Sequence, residues 1–220
     1  MFSKSLISLS LVAPVVVGLM VSSVQANNII NNGTFATGPT VPVTPNDWQY
    51  GGGATWDNSN PFTGSHDAYL NNTAAANNAN VFQQTAFGSV TPGTQYTFSF
   101  ESQFKGGTGA VGQAQFEFLN STAGVIGNPT FYSLPTTTTG FGTAAGYQLS
   151  TEDLTAPTGA SAIYVSFNAI TGAVTGSTAQ AYIGEASLVP AATPEPATLG
   201  LLGVGALGFL VLRRRAIRCS

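Results

Sequence analysis

His66 is the only histidine in the chain and it stands beside Asp67, so this pair alone has the residue types for general acid/base work. Neighbours in a strand point to opposite faces, which keeps the two from acting together there, and no second histidine can take either role. The single cysteine, Cys219, follows the last basic residues of the chain, so it closes no intramolecular disulfide and supplies no nucleophile to the region that contains His66. Asp47, Asp57 and Asp67 are three carboxylates that could meet at a cation, yet each stands among Asn, Ser or Gly and is explained as a turn former. A hydrolase would need two convergent carboxylates in a cleft, and Glu101 with Glu117 is the pair to examine for that. The expectation from these residues is a protein that is not an enzyme, with no metal and no cofactor.

Other residue types suit recognition. Sugars are held by aromatic faces stacked on C–H surfaces, with amides or carboxylates beside them for the hydroxyls. Trp48-Gln49-Tyr50 and Trp56-Asp57-Asn58 offer those types, which makes Trp56, Trp48, Tyr50, Asp57 and Asn58 the candidate carbohydrate-binding residues. Trp48 and Tyr50 are equally suited to be core aromatics of an early strand. Trp56 stands between Gly51-Gly52-Gly53 and Asn58-Ser59-Asn60-Pro61, a loop-like context in which a large aromatic is less expected as core.

The elements that must position these residues are strands. In Tyr96-Thr97-Phe98-Ser99-Phe100-Glu101 the aromatics fall on one face, and Ile163, Val165 and Phe167 alternate likewise with Tyr164, Ser166 and Asn168. Further strands are expected near 68–70, 81–87, 115–119, 148–154 and 181–188, separated by turn signals such as Thr91-Pro92-Gly93, Asn128-Pro129 and Pro157-Thr158-Gly159. Many short strands with one apolar face bury it by packing two sheets together, so the expected fold is an all-β sandwich.

Charge narrows the function further. Between Asn27 and Thr193 a single Lys, Lys105, stands against eight acids, which excludes nucleic-acid binding through phosphate neutralisation. The other five basic residues lie at the two ends. Residues 1–26 read as a signal peptide: Lys4 precedes an apolar stretch, and Val24-Gln25-Ala26 places small residues before a cleavage after Ala26. Residues 27–189 form the ectodomain, and 190–197 an exposed linker in which two prolines leave no room for helix or ladder. Thr198 to Leu212 carries no charge and as a transmembrane helix would reach about 23 Å, a short span for a hydrocarbon core of about 30 Å. Arg213, Arg214 and Arg215 open a tail, 213–220, that the positive-inside rule places in the cytoplasm.

Pro194-Glu195-Pro196, the apolar segment and the arginine cluster, in that order, resemble the PEP-CTERM sorting signal of bacterial envelope proteins. The resemblance implies an exosortase as processing partner, contact with the inner membrane through the tail before processing, and delivery to the cell surface or the extracellular matrix afterwards.

A second resemblance spans the ectodomain. Asn32-Gly33-Thr34-Phe35, Trp48, Gly64 to Leu70, Val90 to Phe100 and Ala181 to Leu188 are similar to the landmarks of jelly-roll carbohydrate-binding modules with a galactose-binding-like fold. It implies an exopolysaccharide or other glycan as partner. That family carries acids after the Asn-Gly-x-Phe and in the last strand that help to hold a structural calcium; here those positions are Ala36 and Gly184, with Glu185 next to the second. The alternative function is a structural or adhesive matrix protein that makes protein contacts without recognising sugar.

Overall fold

The structure is a computed structural model and describes residues 27–38, 47–59 and 61–191. The expected signal peptide with Ala26, and the tail with Pro194, Glu195, Pro196, Arg213, Arg214 and Arg215, lie outside the described residues, as does the expected transmembrane helix. Among the described residues no helix is long and apolar enough to cross a membrane.

Ten strands follow one another: β1 (Gln49–Gly51), β2 (Ala54–Asp57), β3 (Asp67–Asn72), β4 (Asn78–Gln84), β5 (Gln95–Gly106), β6 (Val111–Leu119), β7 (Val125–Ser133), β8 (Gln148–Thr155), β9 (Ala162–Ile170) and β10 (Ala179–Pro190). A 3-10 turn, Ala144–Gly146, precedes β8. The strands form two five-stranded antiparallel sheets, ordered β1-β4-β9-β6-β7 and β2-β3-β10-β5-β8. Consecutive strands repeatedly cross between the sheets; the architecture is the all-β sandwich that the alternating pattern predicts, of the jelly-roll kind that the second resemblance implies.

The alternation decides what each strand buries. In β5, Tyr96, Phe98, Phe100 and Phe104 face the other sheet, and in β9 Ile163, Val165, Phe167 and Ala169 do so. Across the interface Phe98 meets Phe116 edge-on at 4.3 Å between centroids, and Phe100 meets Phe167 edge-on at 5.3 Å. Fully burying side chains of this size contributes about 1.5–3 kcal/mol each, and edge-to-face geometry adds to that. These ring contacts across the sheets hold the sandwich together without a disulfide.

The chain before β1 is stitched to the last strand. Asn28 accepts the Leu188 N–H with its side-chain oxygen at 2.8 Å and donates its amide to the Ala186 carbonyl at 3.2 Å. Past that same end of β10 the ladder continues to Ala191, whose N–H donates to the Gln95 carbonyl at 2.8 Å, into the first residues of the expected linker.

Candidate functional site

The outward face of the first sheet gathers amides and aromatics from four strands. Along β4 the residues Ala79 and Val81 turn inward, leaving Asn78, Asn80, Phe82 and Gln84 outside. Along β9 the outside residues are Tyr164, Ser166 and Asn168; along β6 they are Gln113, Gln115 and Glu117; on edge strand β7, Phe131 stands 53% exposed.

Register aligns them in rows across the sheet. Asn80 pairs with Asn168, which pairs with Gln113. Phe82 pairs with Ser166, Ser166 with Gln115, and Gln115 with Phe131. Gln84 pairs with Tyr164, and Tyr164 with Glu117. In the middle row the smallest side chain, Ser166, sits on the central strand between two amide- and aromatic-bearing neighbours. The row is therefore low in the middle and high at Phe82 and Phe131, three strand spacings or about 14 Å apart.

Hydrogen bonds fix the amides. Asn78 Nδ2 donates to Asn168 Oδ1 at 2.9 Å, and Asn168 Nδ2 donates to Ser166 Oγ at 2.9 Å. Gln115 Nε2 donates to Glu117 Oε1 at 2.7 Å. The rings of Phe82 and Tyr164 lie 5.7 Å apart, tilted by 35°. Burial raises the Tyr164 phenol above its ordinary range, a hydrogen bond with Ser166 lowers it, and the Glu117 charge raises it again. Asn78 Oδ1 is buried and has no hydrogen-bond partner. Asn80 lies over Gly51, where an added Cβ would collide with its side-chain oxygen. Chemically the face can accept and donate to several hydroxyls at once, offers aromatic edges for C–H surfaces, and presents one charge, Glu117.

The opposite face is partly filled by the chain itself. Gln103 of β5 accepts the Gly142 N–H at 2.7 Å and donates to the Thr143 carbonyl at 2.7 Å, which pins the loop before β8 across this sheet. Tyr147, from the end of that loop, donates its hydroxyl to Asp67, whose carboxylate also accepts the Phe62 N–H at 3.1 Å. Burial pushes Asp67 above the ordinary carboxylate range, and these two hydrogen bonds oppose the push. Tyr69 and Tyr182 stack at 4.4 Å beside them, and Gln180 donates to the Tyr69 hydroxyl at 2.7 Å.

The residues that the sequence nominates for sugar are dispersed. Trp48 is 2% exposed, stacks on Phe35 at 4.8 Å and donates its indole N–H to the Asn32 carbonyl at 3.0 Å, so its ring is core. Tyr50 is half-buried, and its hydroxyl is enclosed without a partner. Trp56, on edge strand β2, is 39% exposed but stacks on His66 at 3.5 Å, lies against Gly38, and donates to the Phe35 carbonyl at 2.8 Å. Asp57 accepts the Ser59 hydroxyl at 2.8 Å, as a turn former does, and Asn58 is exposed next to it. Trp56, Asp57 and Asn58 share the sheet edge, whereas Trp48 sits between the sheets. The face across β4, β9, β6 and β7 was passed over by sequence reasoning. Its signal lay in Asn78-Ala79-Asn80-Val81-Phe82-Gln83-Gln84, where polar or aromatic residues alternate with apolar ones.

Neither pair that the sequence offers for acid/base chemistry comes together. Glu101 faces outward from β5 in the second sheet and Glu117 outward from β6 in the first, so they do not converge. His66 precedes β3 and holds Ser65 Oγ at 2.7 Å through Nδ1, while Asp67 is engaged with Tyr147. The calcium that the jelly-roll resemblance implies does not fit these residues. A side chain at Gly184 would collide with Phe62 Cβ and approach the Tyr147 ring to 2.9 Å, Ala36 brings no side-chain oxygen, and no group of three or more His, Cys, Asp or Glu among the described residues could hold a metal.

With this geometry in view, comparison with known proteins gives three findings. A PEP-CTERM protein-sorting motif matches residues 192–215, so the chain carries the signal for export and sorting. No curated protein matches the sequence. Among solved structures, the sandwich is similar to the enzymatically active domain of tailspike protein 4 of bacteriophage CBA120, with TM-score 0.52 and 17% identity, over 74% of this chain and 21% of that one. The chain thus spans about a fifth of the tailspike's length, and the likeness is one of fold. It is also similar to a family 16 carbohydrate-binding module, with TM-score 0.47 and 19% identity over 74% of this chain and 99% of that one. A structure of TmCBM61 in complex with β-1,4-galactotriose gives TM-score 0.46 and 14% identity over 75% of this chain and 99% of that one.

Proposed function

We propose that the chain is an exported, non-catalytic binding protein whose outer face on the first sheet holds a neutral glycan. Its PEP-CTERM signal would be read by an exosortase while the tail sits in the inner membrane, and the ectodomain would then work at the cell surface or in the exopolysaccharide matrix. The observation that carries the binding reading is the middle row, with Ser166 low between Gln115 and the flanking Phe82 and Phe131. An extended sugar chain laid along such a trough would place its C–H faces on the rings and its hydroxyls on Asn80 and Gln115, which the buried Asn168 backs. The scarcity of charge on this face favours uncharged polysaccharide over uronic acid polymers, which Glu117 would repel.

The candidate residues Trp56, Asp57 and Asn58 form a second, smaller edge site in this reading, with Trp48 and Tyr50 supporting it from behind. A glycan array probed with the intact protein and with a Phe131→Ala variant tests the proposal. Binding to one or more neutral glycans, lost in the variant, is the expected outcome. Silence across neutral glycans from a folded sample would favour the alternative, a structural or adhesive matrix protein that makes protein contacts.

A further inference from the structure

Both ends of the folded domain leave from the same end of the sandwich. The Ile29 N–H donates to the Leu188 carbonyl at 2.9 Å and the Ala186 N–H to the Gly33 carbonyl at 2.8 Å, so the first segment runs antiparallel to β10 and Asn27 points the way Ala191 points. Before Asn27 stands the apolar leader; seven residues after Ala191 the uncharged run from Thr198 begins. Seven extended residues span at most about 25 Å, so a tail inserted in a bilayer holds this end of the domain close to the lipid.

What faces the lipid is a continuous rim tied by backbone hydrogen bonds. Ala191 donates to Gln95, Ala156 to Thr94, Gly93 to Ala156, Gly88 and Val90 to Ser161, and Ser161 to Leu119, which pairs with Val125. The loops of this rim, 85–94, 120–124 and 156–161, contain no Asp, Glu, Lys or Arg. Two large apolar side chains are exposed on it, Phe87 at 47% and Val125 at 51%. A domain with one Lys against eight acids is repelled by anionic headgroups when it turns a charged face to them, and the rim has none to turn.

We propose that this rim is a lipid-docking surface, resting on the outer leaflet of the bilayer that holds the tail, with Phe87 and Val125 at headgroup depth. The inference rests on the reading of the tail as a membrane segment. Tethering makes the contact effectively intramolecular, so one or two aromatic or aliphatic insertions suffice without a dedicated lipid pocket. Docked in this way the strands stand upright, and the face across β4, β9, β6 and β7 is turned sideways, clear of the bilayer, before the tail is removed.

Fluorescence quenching by brominated lipid tests this. The chain with its tail intact is reconstituted into vesicles of phosphatidylcholine or of its dibrominated form, as Phe87→Trp, Val125→Trp and, at the opposite end, Val174→Trp, with the unsubstituted chain as background for Trp48 and Trp56. The expected result is that bromination lowers the added emission about twofold in Phe87→Trp and Val125→Trp, consistent with seating 5–10 Å into the boundary, and leaves Val174→Trp unchanged. Flotation of the vesicles reads the tail separately. Vesicles that carry the chain while both rim probes stay unquenched overturn the docking surface and leave the anchored tail standing. A chain that fails to float overturns the tail reading and the docking surface with it.

Discussion

Asn78 donates its side-chain amide to Asn168 across neighbouring strands at 2.9 Å, and Asn168 passes the chain on to Ser166. Asn168 and Ser166 are almost fully buried although they point away from the core. A polar network anchored to a central strand is preorganised, and preorganised amides bind a ligand without the cost of ordering them first.

Removing the aromatic wall of the trough should therefore cost binding and spare the fold. Phe131→Ala, on the exposed edge strand, is expected to weaken glycan affinity about tenfold or more, equivalent to about 1.4 kcal/mol, with the thermal midpoint nearly unchanged. Isothermal titration against the best glycan from the array, alongside a melt, measures both.

Two glycines separate stability from binding. At Gly51 an added methyl meets only the movable end of Asn80, so Gly51→Ala should displace that amide and weaken binding with little loss of stability. At Gly184 the methyl meets Phe62 Cβ and the Tyr147 ring, and Gly184→Ala should cost about 1–3 kcal/mol of stability and leave glycan affinity alone. Denaturant melts and titrations on the two variants should give opposite pairs of results.

Trp48 and Trp56 should behave differently from one another. Trp48→Ala empties a core position stacked on Phe35 and is expected to cost about 3–5 kcal/mol. Trp56→Phe keeps a ring against His66 and loses one hydrogen bond to Phe35, a cost of about 1 kcal/mol. Urea unfolding of each variant distinguishes the two.

Asp67 sets a pH dependence. Burial holds its folded-state carboxyl above the ordinary aspartate range, so the folded protein takes up a proton more readily than the unfolded chain. Its contribution to stability is fully present below the ordinary aspartate value of about 3.9 and is lost as pH rises through the higher folded value. Tyr147→Phe removes the hydroxyl that stabilises the charged carboxylate, which raises that folded value further and widens the window. Unfolding free energy measured across mildly acidic pH should rise on acidification in the parent, rise more in Tyr147→Phe, and flatten in Asp67→Asn.

The tail supplies a prediction of its own. Replacing Pro194, Glu195 and Pro196 by Ala should leave the tail attached, and intact-mass measurement of the protein recovered from the source cell should show the added mass of residues beyond the linker.

The sandwich was legible in the sequence because its longest strands alternate cleanly. Tyr96, Phe98 and Phe100 specify β5, and Ile163, Val165 and Phe167 specify β9, since one face of each has to be buried. β4 was less legible. It begins at Asn78, three residues before the expected start, because Asn-rich sequence signals turns and only the neighbouring ladder of β9 draws Asn78 and Asn80 into a strand. β7, with Gly127, Asn128 and Pro129 inside it, carries turn chemistry at its middle and is held by pairing with β6. The candidate face depends on those two strands, and its rows come from register across the sheet, a long-range property that no window of sequence contains. Trp56 attracted attention through its glycine- and asparagine-rich setting, but only tertiary placement brings His66 and Gly38 onto its two sides.

The central claim is that glycan lies across β4, β9, β6 and β7, and chemical-shift mapping by NMR during titration with a neutral oligosaccharide tests it directly. The account predicts that the side-chain amides of Asn78, Asn80, Asn168 and Gln115 shift together while the Trp48 indole N–H stays still. Shifts confined to the Trp56 edge, or to the Tyr69 and Tyr182 face of the other sheet, would contradict it.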